Sequence, residues 1–224
     1  MKLLKVILCF ALCSFVSIQA EARPFEYNDC DLQPGAYGYN DCNTEVMPFQ
    51  FSLFNPMQMV DECASISGVR LNLLYGKNVN VTGIDLGLVN RVTGDLKGFQ
   101  EGFVNLVEQN VYGIQDGFIN IANGTVMGAQ NGWYNFSNCT FGGQTGIVNM
   151  TKYDLIGLQV GGVNYVRAAE GLQIGLINCA DDFSGFQFGL INYTCRLSGI
   201  QLGLINIQMS RDYLKVLPIL NVSW

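Results

Sequence analysis

Over most of the chain, polar or glycine positions alternate with apolar ones, and the alternation restarts at a fixed interval. The phrase is G-x-Q-x-G-L-I-N, cleanest at Gly171–Asn178, Gly185–Asn192 and Gly199–Asn206. Its first position falls at Gly68, Gly83, Gly98, Gly113, Gly128, Gly142, Gly157, Gly171, Gly185 and Gly199, in near-equal steps. A two-residue period predicts strand. Glycines at positions one and five argue against helix, where each costs about 1 kcal/mol. A further apolar residue recurs two places before most units, as at Val81, Leu96, Val111, Val126, Leu155, Phe183 and Leu197. Turn-forming pairs such as Thr93-Gly94, Asn123-Gly124 and Asp181-Asp182 precede it. Each unit therefore reads as strand, corner, short strand, corner.

Two columns of the repeat are nearly invariant within the chain. Position three is glutamine at Gln100, Gln115, Gln130, Gln144, Gln159, Gln173, Gln187 and Gln201, with Arg70 and Asp85 as exceptions. Position eight is asparagine at Asn90, Asn105, Asn120, Asn135, Asn149, Asn164, Asn178, Asn192 and Asn206. Degenerate units bracket the series: Pro48–Asn55 at the start and Leu214–Asn221 at the end, where Pro218 suits an outermost strand. Atypical end units are what a stacked repeat uses as caps. The expected fold is all-β, a narrow parallel β-solenoid of about 12 coils, roughly 55–60 Å long at about 4.8 Å per coil. Its glutamines and asparagines would form hydrogen-bonded ladders along the rod. In that stack Asn221 would have Asn206 as its neighbour.

The alternative is an antiparallel meander or a 12-stranded outer-membrane-type β-barrel, with Trp224 as its terminal aromatic. Two observations favour the solenoid. Up and down barrel strands should impose a super-period of two units, and none is present. The lipid face would also carry Glu101, Asp116 and Asn131 at position four of consecutive units, and charge there is unfavourable. In a solenoid these three form a polar patch on an outward face.

The segment 1–22 has Lys2 and Lys5, an apolar run from Val6 to Ile18 and an Ala20-Glu21-Ala22 cleavage site, the pattern of a secretory signal peptide. Leu12-Cys13 echoes a lipobox, but Cys13 lies inside the apolar run. The expected organisation is a signal peptide (1–22), a cysteine-containing segment (23–47) and one repeat domain (48–224). In an exported chain Cys30 and Cys42, in twin YNDC phrases, are candidates for a disulfide.

A net charge of −6 without a basic cluster argues against a nucleic-acid partner. The chain has no histidine, which removes Ser-His and Cys-His pairs and the common zinc sites. No cofactor motif occurs. Glu101 and Asp116 would lie on adjacent coils, the one carboxylate pair suited to a sugar or cation. Phe99, Phe103, Phe118 and Trp133 read as core or as a packed surface stack before a carbohydrate platform.

The phrases GLQIGLIN, FSLFNPMQ, GVRLNLLYGKNVNVTGIDLGLVN and LPILNVSW, spanning about Phe49 to Trp224, resemble bacterial cell-envelope surface-repeat proteins of Gram-negative lineages such as spirochaetes and chlamydia-like bacteria. The resemblance implies an exported protein of the envelope, outer membrane or cell surface with no established activity. Its partners would be another surface protein, a glycan or the outer membrane. Some relatives carry a polyhydroxyalkanoate synthase label, which the chain does not support, since it has no G-x-C-x-G elbow and no histidine.

Overall fold

The computed structural model describes Cys30 and residues 45–224. The segment 1–22 expected to be a signal peptide, Cys42 and most of the segment before the repeats lie outside the described residues. The described chain is all-β: β1 (Val46–Phe54), β2 (Met57–Gln58), β3 (Ser65–Asn78), β4 (Val81–Val92), β5 (Leu96–Val107), β6 (Val111–Gln208) and β7 (Val216–Ser223). β1, β3, β4, β5 and the start of β6 pair in parallel, each one coil above the last. The register is that of the repeat: Gly83 beside Gly98 beside Gly113, Gln100 beside Gln115, Asn105 beside Asn120. β6 is one run of extended chain that keeps winding, so residues 14 or 15 apart remain hydrogen-bonded neighbours to its end. This is a β-solenoid. Its parallel register overturns the antiparallel meander and barrel.

The position-one glycines hold the coils at this pitch. All ten have positive φ, 138° at Gly157, where L-residues are strained. A Cβ on Gly157 would lie 1.9 Å from the carbonyl oxygen of Gly142, one coil below. Position one is therefore a backbone-on-backbone contact, and the next carbonyl occupies the space a side chain needs.

The interior is thin. It is lined by position three, position eight, position ten and the residue two places before each unit. Val81, Val92, Leu96, Val107, Val111, Ala122 and Val126 form one buried apolar cluster; Leu155, Val166, Ala180, Phe183 and Leu197 form a second. Between them Ser137, Thr140 and Thr151 occupy the same columns, fully buried, and their hydroxyls bond to one another. Ser137 and Thr151 also bond to Gln144. The apolar core is thus divided by a polar layer. Positions two, four and six point outward.

The ends differ from the sequence reading. β7 runs antiparallel to the last turn of β6, with Gln201 opposite Asn221 and Gly203 opposite Ile219. Asn221 therefore does not stack on Asn206. A short tail after the reversal at residues 209–215 folds back along the last coil as a hairpin, which blocks further parallel addition. Pro218 lies in this outermost strand. At the other end β2 pairs antiparallel with β1.

Cys30 is disulfide-bonded to Cys139, with the Cα atoms 5.8 Å apart, so the expected bond to Cys42 is not formed. Bridging depends on Cα separation. The fold brings together two residues 109 apart, which spacing in the sequence does not reveal. Cys63 is also disulfide-bonded.

Gly157→Ala should lower stability by at least about 3 kcal/mol or abolish folding, since strain at positive φ adds to a clash with backbone. Gly143→Ala is the control, because its Cβ would meet only the Leu158 side chain, at 3.4 Å. Thermal melts followed by far-UV circular dichroism check the pair; equal effects would exclude the close-approach explanation.

Candidate functional site

The position-three glutamines form one continuous ladder. Gln115 Nε2 donates to Gln100 Oε1 at 2.9 Å, Gln130 to Gln115 at 2.8 Å, and the series continues to Gln201 on Gln187 at 2.7 Å. Every position-three glutamine from Gln100 to Gln201 is fully buried. The asparagines form a second ladder in the opposite direction: Asn90 Nδ2 donates forward to Asn105 Oδ1 at 3.0 Å, and so on to Asn192 on Asn206 at 2.8 Å.

The asparagine direction follows from the backbone. From Asn90 to Asn192 each Nδ2 also donates to the position-four carbonyl of the next coil, as from Asn90 to Glu101 at 2.8 Å and from Asn178 to Phe188 at 2.9 Å. That carbonyl precedes the corner where main-chain pairing skips a residue. The side chain thus satisfies a buried acceptor that the bend would orphan. Its amide fills the space beside position five: a Cβ on Gly102 would lie 2.5 Å from Asn90 Nδ2. One unit exchanges the two residue types. Asn72 stands at position five and Gly76 pairs with Asn90, and the Asn72 amide reaches across to donate to Asn90 Oδ1 at 2.8 Å.

The glutamine direction is set at its first rung. Gln100 Nε2 donates to Asp85 Oδ2 at 2.7 Å, and an ionised carboxylate only accepts. Asp85 is held by a bidentate Arg70 at 2.7 and 2.6 Å, and both side chains are fully buried. Arg70 also donates to the Arg91 carbonyl at 3.0 Å. Above it Gln50 is in register with Arg70 and fully buried, and neither of its amide atoms has a hydrogen-bond partner. At the far end Asn221 Nδ2 donates to Gln201 Oε1 at 2.7 Å and closes the ladder.

On the outward face Glu101 and Asp116 are neighbours on adjacent coils. Asn131 donates to Asp116 at 2.9 Å, and Thr145 donates to Asn131 at 2.8 Å, so the polar patch is a short external chain of hydrogen bonds. A shallow depression of about 430 Å³ lies here, lined by Leu86, Glu101, Phe103, Asp116 and glycines. In the adjacent row the Phe103 and Phe118 rings stack at 4.8 Å, and Phe118 and Trp133 lie at 4.2 Å. Phe118, the middle ring, is covered on both faces, while Phe103 and Trp133 are each covered by it on one side.

The rest of the face is apolar. Trp133 is 58% exposed, Leu176 59% and Leu204 67%. Among the described residues the one group with metal-ligand spacing is Cys30, Cys139 and Asp154, and its two sulfurs are joined in the disulfide. Cys195 donates weakly to Asp181 at 3.9 Å. Burial pushes its thiol pKa up, and the neighbouring carboxylates add to this, the reverse of what an activated nucleophile needs. Burial, and then the adjacent Asp182, raise the Asp181 carboxyl.

No family model, curated protein or solved structure matches the chain.

Two predictions concern the ladders. Arg70→Gln alone leaves Asp85 a buried charge without its cation and should cost about 3–5 kcal/mol. Arg70→Gln with Asp85→Gln extends the amide ladder toward Gln50 and should return stability to within about 1 kcal/mol of the parent or above it. Urea denaturation of the two variants checks this, and a double variant no better than the single would refute it. Secondly, Asn178→Leu removes the acceptor of Asn164 and the donor to Asn192 and Phe188. Each buried group left unsatisfied costs roughly 1–3 kcal/mol. Asn221→Leu costs Gln201 one donor while removing an unpartnered Oδ1, so its thermal midpoint should fall much less. Equal shifts would contradict the ladder account.

Proposed function

We propose that this protein is a non-enzymatic, exported repeat protein of the bacterial envelope or surface, with a structural or interaction role. The observation that carries the reading is where the polar side chains go. The amides, the commonest polar groups of the repeat, are buried in ladders and hold coil to coil. On the side of positions two, four and six the coils present a sheet face of apolar rows with one short polar strip, and further charges lie on the other side. Such a rod has the makings of a spacer or a docking surface. The signal-like segment 1–22 and the resemblance to envelope repeat proteins support export.

A carbohydrate contact at Glu101 and Asp116 is the second reading, favoured by the depression they line beside Phe103. It ranks lower because Phe118 already covers one side of Phe103, the ring that lines the depression, and is itself covered on both.

Surface display is tested by treating intact cells with a protease that cannot cross the outer membrane and immunoblotting against a periplasmic control. The protein should be cleaved while the control persists. Protection equal to the control's would remove surface display from the proposal.

A further inference from the structure

The outward face changes character along the rod. In the coils that begin at Gly83, Gly98 and Gly113 it carries Glu101 and Asp116 among the apolar residues. From the coil that begins at Gly142 onward, positions two, four and six hold no charged residue. The charges of that stretch lie elsewhere: Lys152, Arg167 and Asp181 at position eleven, Asp182 and Arg196 at twelve, Asp154 at thirteen and Glu170 at fourteen are on the other side of the coil, and Arg211, Asp212 and Lys215 lie in the reversal before β7. Leu158, Leu176, Phe188, Leu190 and Leu204 project from the uncharged side, each at least 40% exposed. β7 prolongs the rows by one strand, since Leu220 lies beside Leu202 and Val222 beside Ile200. The result is a flat apolar face six strands long.

We infer that this face is covered by the same face of a second copy of the chain, in an antiparallel, two-fold arrangement. Three observations select that occupant. The first is charge: the face carries none, so two copies meet without repulsion, while a chain of net charge −6 with no basic rim is poorly suited to an anionic membrane surface. The second is size. Six strands spaced about 4.8 Å apart, and the width of positions two to six, give roughly 400–500 Å² in projection. That is of the order of the ~800 Å² of accessible surface per partner that a stable interface buries. The third is shape, because a regular twisted sheet packs on its own copy at about 10 Å, as the two sheets of a sandwich do.

The position of the charges also fixes the register. A two-fold axis between the coils of Leu176 and Leu190 sets these two leucines against each other across the interface. Each chain's β7 then ends opposite the partner's coil beginning at Gly142. Glu101 and Asp116 lie beyond the partner's end and stay in water. Full-length overlap would press both carboxylates onto apolar rows and desolvate them.

This inference rests on the interaction reading above and names the partner, but it does not depend on where the protein resides. Its test is therefore made in solution, apart from the cell-surface experiment. Analytical ultracentrifugation of the purified protein at roughly 100 μM should give the mass of two chains. Leu176→Lys should weaken self-association roughly a hundredfold or more and give single chains, with an unchanged circular dichroism spectrum. Leu190→Ser serves as the second variant should the first lose its β-sheet signal. Glu101→Lys, outside the overlap, should leave the association constant within about twofold of the parent. The inference is overturned by single chains of the parent protein, by a dimer indifferent to both leucine changes, by weakening with Glu101→Lys, or by binding of phosphatidylcholine vesicles in place of self-association.

Discussion

The rest of the structure depends on one interaction, the hydrogen bond from a side-chain amide to its equivalent one coil away. A coil this short encloses little volume. Large apolar side chains fit across it poorly, and in the described coils the columns beside the ladders hold chiefly valine, alanine, leucine, threonine and serine, with Ile66 and a single phenylalanine. An amide is flat and both donates and accepts, so a column of them fills the narrow interior and satisfies itself. The net contribution of each bond is modest, about 0.5–1.5 kcal/mol, but leaving any amide unpaired in that interior is costly. This is why the columns tolerate so few exceptions. The glycines follow from the same constraint: at position one the neighbouring carbonyl, and at position five the neighbouring carbonyl together with the asparagine amide, occupy the place of a Cβ.

A ladder of aligned amides is also a row of aligned dipoles, and its ends need treatment as helix ends do. The two ladders run in opposite directions along the rod, so their fields oppose each other. The donor end of the glutamine ladder meets the Asp85 carboxylate, and the acceptor end meets the Asn221 amide. Asp85 is tolerable in the interior only because Arg70 is there to pair with it. Arg70 has a consequence of its own. It offers donors only, its guanidinium turns toward Asp85, and Gln50 above it is left with both amide atoms unpartnered. The ion pair thus occupies the two coils between the end of the ladder at Gln100 and Gln50.

Much of this was legible in the sequence because the period is a distance. Glycine, glutamine and asparagine recurring at so regular an interval stack when each unit is one coil, so the membership of each column could be read directly, while the parallel solenoid was only favoured over an antiparallel barrel of the same period. The direction of the ladders could not, since it is decided by a carboxylate at one site and by main-chain carbonyls that the sequence does not mark. Nor could the reversal of the last unit. Its spacing keeps the repeat's register, but residues 209–215 turn the chain back along the last coil, and Asn221 meets Gln201. The Cys30–Cys139 bridge was equally hidden, because the twin phrases around Cys30 and Cys42 reflect local similarity and the bond reflects where the chain passes in space.

The usual link between polarity and burial is reversed here, and the reversal has a cause. With amides inside, the strand's alternation sends positions two, four and six outward, and those are the apolar ones. Their hydrophobicity therefore does not stabilise the coil by burial within it. They gain from neighbours of the same kind along each row, as the stacked Phe103, Phe118 and Trp133 do. Each further coil adds one rung to both ladders and one strip to this outer surface, so rod stability and exposed apolar area grow together. Charge at Glu101 and Asp116 interrupts the surface over the early coils, and the hairpin at β7 stops the growth of the ladders at the other end. Between these two limits the apolar strip has a defined length, which is the property an interface needs and a core does not.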